Sequence, residues 1–352
     1  MNSLWVKKMV KATVPPVFDA LGVYNRAIVA AERDDPIWLV VMYHRVITAP
    51  GEDPFQLGMC VTADRFREQI EFYRNFFEPI ALSEGVRRRQ EGRPMPRRAV
   101  SITFDDGYAD NLGTAWPILR EYGMPATVFV TTGDRVGGPG LWWDRVIHAV
   151  ANTDQRILDL SSLALNSVQG TLPLDRAHRT RSVESLLALL WEYDIDTTLG
   201  AIGRIEQALH PVANAKTLPA RLSDEDIAVL HAEGVEIGAH TIDHPDLRMT
   251  SDDRMQRELL EPKQTLESII GTRVNGFAYP RGLCDERVIK AVGDAGYDYA
   301  VATQRGLNSG GDNAFLIERM GAPDTSVADL KRCIANIARL RKEGSPMTDA
   351  PL

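Results

Sequence analysis

The chain has 352 residues, of which 44% are hydrophobic and 25% are charged, and these proportions are typical of globular proteins rather than disordered or fibrous ones. This length can hold one large α/β domain or two smaller ones, each with a sizeable core. The net charge of −8 argues against a nucleic-acid partner, because binding to a phosphate backbone normally needs a basic face.

The first 36 residues predict a helical extension. Residues 14–31 have an amphipathic pattern, which places them on the protein's own surface or on a membrane. The basic residues near the start are followed by prolines instead of an apolar h-region, so neither a signal peptide nor a transmembrane span is expected. Three cysteines imply no disulfide framework. These features predict a cytoplasmic protein, and a peripheral membrane contact stays open.

Seven short apolar runs alternate with helical patterns, which is the signature of parallel βα units. The predicted strands are Ile37–Tyr43, Ala99–Phe104, Ala126–Thr131, Val235–Ala239, Val274–Tyr279, Tyr297–Ala302 and Ala314–Arg319. The predicted helices, several of which end in a glycine C-cap, are Ala63–Phe76, Leu112–Gly123, Ser223–Gly234, Ser251–Gly271 and Asp285–Gly296. This pattern alone fits both an open doubly wound sheet and a closed barrel.

Between the third and fourth strands, at about residues 136–220, the βα rhythm gives way to a mostly helical stretch. We interpret this stretch as an insertion. It could cap a site, since loops on α/β scaffolds carry specificity, and a purely structural helical subdomain is an equally good interpretation.

Five titratable side chains follow three of the predicted strands, and active sites of α/β folds lie beyond the carboxyl ends of strands. These side chains are His44, Asp105, Asp106, His240 and His244. The i, i+4 spacing of the last two histidines would put both on one face of a helical turn. H-x-x-x-H is a weak metal signal alone, but a nearby carboxylate completes a set of two histidines and one carboxylate.

The adjacent acids Asp105 and Asp106 have two interpretations. Asp-Asp-Gly after a strand is most often an exposed turn. The histidines at the same edge favour a second interpretation, in which one carboxylate binds a divalent cation and its neighbour takes a proton from water. A cation would also offset the repulsion between the two charges.

Two motifs resemble those of the polysaccharide deacetylase family, also called the NodB-homology or carbohydrate esterase family 4 group. They are "TFDDGY" at residues 103–108 and "HTIDH" at residues 240–244, and the similarity runs roughly from Trp38 to Met320 without the insertion. The resemblance implies an α/β fold, a distorted (β/α)7 TIM-like barrel with a helical insertion. The expected organisation is an extension (1–36), a catalytic domain (37–330, insertion about 136–220), and a C-terminal helix and tail (331–352).

The resemblance also implies roles for the paired acids and the histidines. Asp106, His240 and His244 would bind the metal, most often Zn²⁺, with Co²⁺ or Ni²⁺ as alternatives. Asp105 would be the catalytic base.

The third motif of the family corresponds to "FAYPRG" at residues 277–282, with Ala278 at the motif's Arg position and Arg281 at its Tyr position. The backbone N–H of Arg281 would still help to form an oxyanion hole. The residue that orients Asp105 is left open by this departure, and Arg319 is the candidate for it.

The family usually supplies a histidine general acid near the C-terminus, yet no histidine follows His244. A permuted branch, resembling poly-N-acetylglucosamine deacetylases, has instead an N-terminal "MYH" strand whose histidine plays that role. "VVMYHRV" matches it, so His44 is the candidate acid. A hydrogen-bonded core histidine at a strand end is the alternative.

The resemblance therefore implies a metal-dependent hydrolase that removes N-acetyl groups from an amino-sugar polysaccharide or glycan precursor, with a carbohydrate as its partner. Such an enzyme acts on carbon–nitrogen bonds other than peptide bonds. One alternative is a deformylase or O-acetyl esterase on the same metal site, since the motifs fix the reaction centre and not the leaving group. Another is a catalytically inactive glycan-binding module, which the intact site residues oppose. The sequence leaves open the exact glycan, the metal and the oligomeric state.

Overall fold

A computed structural model describes residues 15–32, 36–133, 140–166, 168–211, 218–308 and 313–343. Its strands are β1 (Ile37–Tyr43), β2 (Arg45–Ile47), β3 (Cys60–Thr62), β4 (Glu78–Pro79), β5 (Arg98–Phe104), β6 (Ala126–Val130), β7 (Ile157–Asp159), β8 (Thr171–Pro173), β9 (Glu236–Ala239), β10 (Gly276–Ala278), β11 (Tyr299–Val301) and β12 (Met320–Gly321). The main sheet has the order β11-β10-β9-β6-β5-β1-β12, with β4 beside β5, and all of its pairs are parallel.

The five helices predicted between the strands are present, although only Trp116–Glu121 of the predicted Leu112–Gly123 is α-helical, and helix Leu82–Gln90 was not predicted. They are α1 (Val23–Ala31), α2 (Ala63–Phe76), α3 (Leu82–Gln90), α4 (Trp116–Glu121), α5 (Trp142–Ala151), α6 (Arg179–Leu190), α7 (Ile195–Leu209), α8 (Asp224–Ala232), α9 (Asp252–Ile270), α10 (Glu286–Asp294) and α11 (Val327–Glu343). Helix α9 shows why its ends were predictable: Ser251 accepts from the backbone N–H of Arg254, and Gly271 ends the helix with φ 70°.

The predicted strand Ala314–Arg319 is wrong in its position. Only Ile317 of this segment makes a parallel bridge, to Val301 of β11, and the true strand is Met320–Gly321, which pairs with β1. The segment therefore contacts β11 first and β1 a few residues later, and these are strands near opposite ends of the sheet order. Residues 317–321 thus form a seam along which the sheet curls into an irregular barrel.

The two faces of the sheet carry different parts of the core. Trp38 and Val40 of β1 point into the barrel and pack with Phe129 and Tyr299, and the Trp38 indole N–H donates to Ser101 Oγ at 3.0 Å. The alternate residues of β1 pack outward against the helices, as the period of two requires for a strand that is buried on both faces.

Residues 140–211 contain helices α5 to α7, as the helical pattern of this stretch predicts. They also contain an antiparallel pair, β7 with β8, that the pattern does not predict. The apolar residues of this region form a separate cluster, which includes Trp142 and Trp143 and reaches Tyr108 of the barrel. The insertion is thereby packed onto the edge of the barrel at which β5 ends.

The amino-terminal extension is described from residue 15. Residues 15–20 are helical and α1 follows after Gly22, whose φ of 66° breaks the helix; α1 packs along α11. The first part of the predicted extension, residues 1–14, and the tail beyond residue 343 lie outside the described residues. Among the helices that the structure describes, none combines the length and the apolar character needed to cross a bilayer.

Candidate active site

The carboxyl ends of the barrel strands open into a cavity of about 790 Å³. The side chains expected to act in catalysis or metal binding line this cavity, with the exception of Arg319: they are His44, Asp105, Asp106, His240, His244 and Arg281. Arg319 lies beneath them, fully buried, and contacts Asp105. The structure therefore brings all seven residues together.

The turn after β5 carries Asp105 and Asp106 and has an unusual backbone conformation. Asp106 and Gly107 both have left-handed φ angles, of 74° and 77°, which cost little for glycine and more for aspartate. Arg221, a buried residue, holds this turn by donating from one Nη to the carbonyls of Asp106 and Thr131, at 2.6 Å each. Sequence analysis missed Arg221, because nothing in the local pattern links it to a turn more than a hundred residues earlier.

Asp106, His240 and His244 form the candidate metal centre. All three are buried, and one ligand atom from each lies within 4.8 Å of the other two. Asp106 Oδ1 is 3.5 Å from His240 Nε2 and 3.9 Å from His244 Nε2. Neither oxygen of Asp106 has a hydrogen-bond partner among the described residues. A buried carboxylate without a partner is costly, so the donor set fits a bound cation.

The pKa shifts of these three groups also fit a metal centre. The Nδ1–H of His240 donates to the Ala278 carbonyl at 2.7 Å, which leaves the lone pair of Nε2 facing Asp106. Burial lowers the pKa of His240 to about 4 and lowers that of His244 well below its usual range, so both imidazoles are neutral at pH 7. Burial and the neighbouring Asp105 raise the pKa of Asp106 well above its usual value, and a divalent cation would reverse that shift.

The two histidines do not lie on a helical turn, and that prediction is wrong. Residues 240–244 form an irregular bend in which Thr241 and His244 have φ angles of 64° and 56°. The Thr241 hydroxyl accepts from the backbone N–H of His244 at 3.0 Å, a local turn that threonine often makes. The imidazole rings converge, with centroids 4.7 Å apart, through this bend rather than through the period of a helix.

Glu258 of α9 supports the same bend and was also missed by the sequence analysis. Its Oε2 accepts from the backbone N–H groups of Ile242 at 2.7 Å and Asp243 at 3.2 Å, while Arg254 donates to its other oxygen at 2.9 Å. Glu258 is fully buried. The available signal was a glutamate within a helix pattern on its buried face, which is unusual unless the acid has partners.

Asp105 has the opposite environment from Asp106. Arg319 donates two parallel hydrogen bonds to its carboxylate, from Nη1 to Oδ1 and from Nη2 to Oδ2, both 2.7 Å long. Arg319 also donates from Nε to the Ala302 carbonyl at 2.9 Å. Burial raises the pKa of Asp105, but the charge of Arg319 outweighs burial and the pKa falls to about 2. Asp105 is therefore an oriented carboxylate that stays ionised at neutral pH.

His44 lies at the end of β1 and lines the cavity together with Asp105. Its position is fixed through the backbone, because the Asn111 side-chain amide donates to the His44 carbonyl at 2.9 Å. Asn111 begins a π-helical turn, Asn111–Ala115, which precedes α4; such turns are frequent at functional sites. Burial lowers the pKa of His44.

Arg281 enters the cavity from the loop after β10. It has a left-handed φ of 55°, and the next residue must be glycine, because a Cβ on Gly282 would lie 2.2 Å from the backbone nitrogen of Thr303. The Arg281 guanidinium stacks over the indole of Trp191 at 4.5 Å.

The insertion supplies one wall of the cavity. The rings of Trp143 and Trp191 lie 4.7 and 5.6 Å from the ring of His244. Leu187 and Ala188 of α6 extend this wall. Sequence analysis did not single out these residues, although Trp143 and Trp191 are two of only six tryptophans in the chain.

A model of the polysaccharide deacetylase family matches residues 92–153 and 171–300, which is more than half of the chain. The chain belongs to the polysaccharide deacetylase family. Such an enzyme is a hydrolase that acts on carbon–nitrogen bonds other than peptide bonds, and the matched residues include both acids and both histidines of the candidate site.

Two curated relatives match stretches of this chain that differ in length. YxkH of Bacillus subtilis (strain 168), whose name describes a polysaccharide deacetylase, is 20% identical over 282 residues, 80% of this chain and 70% of that protein. A poly-beta-1,6-N-acetyl-D-glucosamine N-deacetylase of Escherichia coli (strain K12) is 30% identical over 103 residues, 29% of this chain and 15% of that protein. The chain thus spans only a small part of the second relative.

Solved structures share the fold. The Streptococcus pyogenes deacetylase PplD in complex with acetate has a TM-score of 0.56 and 18% identity, and the match covers 85% of this chain and 99% of that one. IcaB from Ammonifex degensii has a TM-score of 0.53 and 15% identity, with 86% and 97% covered. The predicted distorted (β/α)7 barrel is confirmed.

Proposed function

We propose that this polysaccharide deacetylase is a metal-dependent N-deacetylase of an amino-sugar glycan. The observation that carries the proposal is that two carboxylates in one cavity have different environments. A buried carboxylate without a partner and two neutral histidines lie on one side, and an ionised, bidentately held carboxylate lies beside them. The name of the Escherichia coli relative supports an N-acetylglucosamine polymer as the substrate class.

Asp106, His240 and His244 would hold the cation, and Zn²⁺ suits a set of two histidines and one carboxylate with open positions. When bound, such an ion polarises a carbonyl oxygen and lowers the pKa of water. Co²⁺ or Ni²⁺ would suit the same donors.

Asp105 would act as the general base. It lies beside the candidate metal centre, it is ionised, and Arg319 fixes both of its oxygens. It would accept the proton of the water that attacks the acetyl carbon. Arg319 is then a positioning residue, since it acts only through Asp105.

His44 would act as the general acid on the leaving amine. The acetamide C–N bond breaks only if its nitrogen receives a proton, and the protonated imidazole would supply it. Burial lowers the pKa of His44, which makes this protonated form a stronger acid but a less populated one at neutral pH. The backbone N–H of Arg281 would donate to the oxygen that becomes negative during the attack.

The aromatic wall supports a sugar substrate. Trp143 and Trp191 present ring surface beside His244, and flat apolar rings with a polar edge are suited to pack against pyranose faces.

The test measures acetate released from β-linked N-acetylglucosamine oligomers, with O-acetyl and N-formyl analogues as comparison substrates. We expect acetate release from the N-acetyl oligomer, loss of it with a chelator, and recovery with Zn²⁺, Co²⁺ or Ni²⁺. Turnover of only the O-acetyl or only the N-formyl analogue would assign the site to one of the alternative reactions. Binding without any turnover would identify a glycan-binding module.

We also propose a reducing, cytoplasmic compartment. The support is that Cys60, Cys284 and Cys333 are all unpaired, as expected for a chain without disulfides. Cell fractionation with an antibody to the chain tests this proposal, and recovery in an extracytoplasmic fraction would contradict it.

A further inference from the structure

The amino-terminal segment exposes an apolar face. Seven large hydrophobic side chains are exposed in the described part of the chain, and four of them lie within thirteen residues: Val17 (56% exposed), Phe18 (42%), Leu21 (62%) and Val29 (42%). The remaining three, Ile157, Val229 and Met249, are scattered singly. Single exposed apolar residues need no explanation, whereas a cluster marks an interaction surface.

This face belongs to a firmly attached segment. Tyr24 and Ile28 on the inner side of α1 are buried, and Asp19 accepts a salt bridge from Lys331 of α11 at 2.9 Å. Between residues 16 and 29 the exposed positions are apolar or small, apart from Arg26. The segment is therefore anchored by its buried residues and by Asp19, and it exposes apolar side chains before and after the break at Gly22.

The charge of the segment has the opposite sign from the chain as a whole. Residues 1–31 contain four cations, Lys7, Lys8, Lys11 and Arg26, and one acid, Asp19, whereas the chain carries −8. Trp5 adds an aromatic side chain of the kind that favours membrane interfaces. Apolar side chains together with excess lysine and arginine match an anionic lipid surface.

We propose that residues 15–31 dock this protein on an anionic phospholipid surface through Val17, Phe18, Leu21 and Val29, and that the excess positive charge of residues 1–31 favours anionic headgroups. A symmetric dimer through this face would place two copies of the same basic segment together, which the shared charge disfavours. Anionic headgroups supply the complementary charge.

The experiment is co-sedimentation of the full chain with phosphatidylcholine vesicles, with and without phosphatidylglycerol. We expect binding to the vesicles that contain phosphatidylglycerol and weaker binding at high salt, since screening weakens surface attraction. The variant Phe18→Ser/Leu21→Ser should bind about tenfold or more weakly, because it removes apolar surface from the docking face.

The matched control is Ile157→Ser/Val229→Ser, which changes two exposed apolar residues elsewhere and should bind like the parent chain. Thermal melting of each variant verifies that it folds. Absence of vesicle binding, equal binding by the docking variant and the parent, or equal loss in the control variant would each overturn the proposal. A parent chain that is dimeric by light scattering and becomes monomeric in Phe18→Ser/Leu21→Ser would assign the face to a second copy instead.

Discussion

The two halves of the candidate site differ in how they are stabilised. In the acid–base half, both oxygens of Asp105 are bonded to Arg319. In the metal half, both oxygens of Asp106 lack a partner among the described residues, although the two acids are adjacent in sequence. Burial is the same for both, so the difference lies in the partners alone.

Because of this difference, two adjacent acids at the end of one strand can serve two different purposes. The chain itself supplies the counter-charge for Asp105, which therefore remains ionised without any ligand. No described side chain donates a hydrogen bond to Asp106, so this carboxylate and the two histidines have donor atoms free for a cation. The following predictions test that division.

The largest effect is expected from changes in the metal half. His244→Ala should reduce the bound metal from about one ion per chain to little and abolish turnover, because each imidazole supplies a strong ligand bond. Elemental analysis and acetate release measure the two losses. His178→Ala, in an exposed histidine of the insertion, is the control and should retain both; full metal content in His244→Ala would place the ion elsewhere.

Asp105→Asn should lower kcat by about 10²–10⁴-fold, the usual contribution of a general base, while metal content stays near that of the parent. It also leaves Arg319 buried without its carboxylate, which should cost about 3–5 kcal/mol of stability. The double variant Asp105→Asn/Arg319→Met removes both charges and should recover most of the stability but none of the activity. Recovery of turnover in the double variant would show that Asp105 serves the fold and not the reaction.

His44→Ala should lower kcat by about 10²–10⁴-fold on an acetamide, whose amine leaves poorly without a proton. The loss should be much smaller on an activated aryl acetate, whose leaving group needs no proton. Steady-state kinetics on both substrates, with metal analysis and thermal melting, provide the measurement. An equal loss on both substrates, or unfolding, would make His44 a structural residue at the end of β1.

The smallest effect is expected from Glu258→Gln, which weakens the support of the bend at residues 240–244 without touching a ligand. Metal affinity should fall by about 10–100-fold, the typical effect of residues that position ligands, and excess metal should restore kcat. Competition with a chromophoric chelator measures the affinity. Glu261→Gln, on the exposed side of the same helix where Glu261 pairs with Arg257, is the control; a similar loss there would attribute the effect to α9 as a whole.

The sequence predicted the parts of the fold that depend on local patterns. Helix Ala63–Phe76 and strand Ile37–Tyr43 have the predicted bounds, because amphipathic periods and capping residues are local signals. The strand predicted at Ala314–Arg319 is displaced. This segment contacts two strands in succession, so its apolar residues do not follow the regular pattern from which a strand's bounds are predicted.

The candidate site divides in the same way. Asp105, Asp106, His240 and His244 stand in short motifs and could be named from the sequence, although the left-handed angle of Thr241 made the predicted helical turn wrong. Arg221 could not be named, because it acts on backbone groups that only the folded chain brings near. Glu258 gave one signal, an acid on the buried face of a helix pattern, but not the backbone groups that it would bind. Trp191 belongs to the insertion, for which the sequence offered no motif.

The seam at residues 317–321 contacts both β11 and β1, near opposite ends of the sheet order, and it also carries Arg319. This arginine lies 214 positions after the aspartate that it grips, so a growing or truncated chain that lacks the seam has both acids but no counter-charge for the first. Burying Asp105 without Arg319 would favour its protonated form, which cannot accept a proton. The proposed general base would therefore be ionised and oriented only after residues 317–321 have closed the barrel.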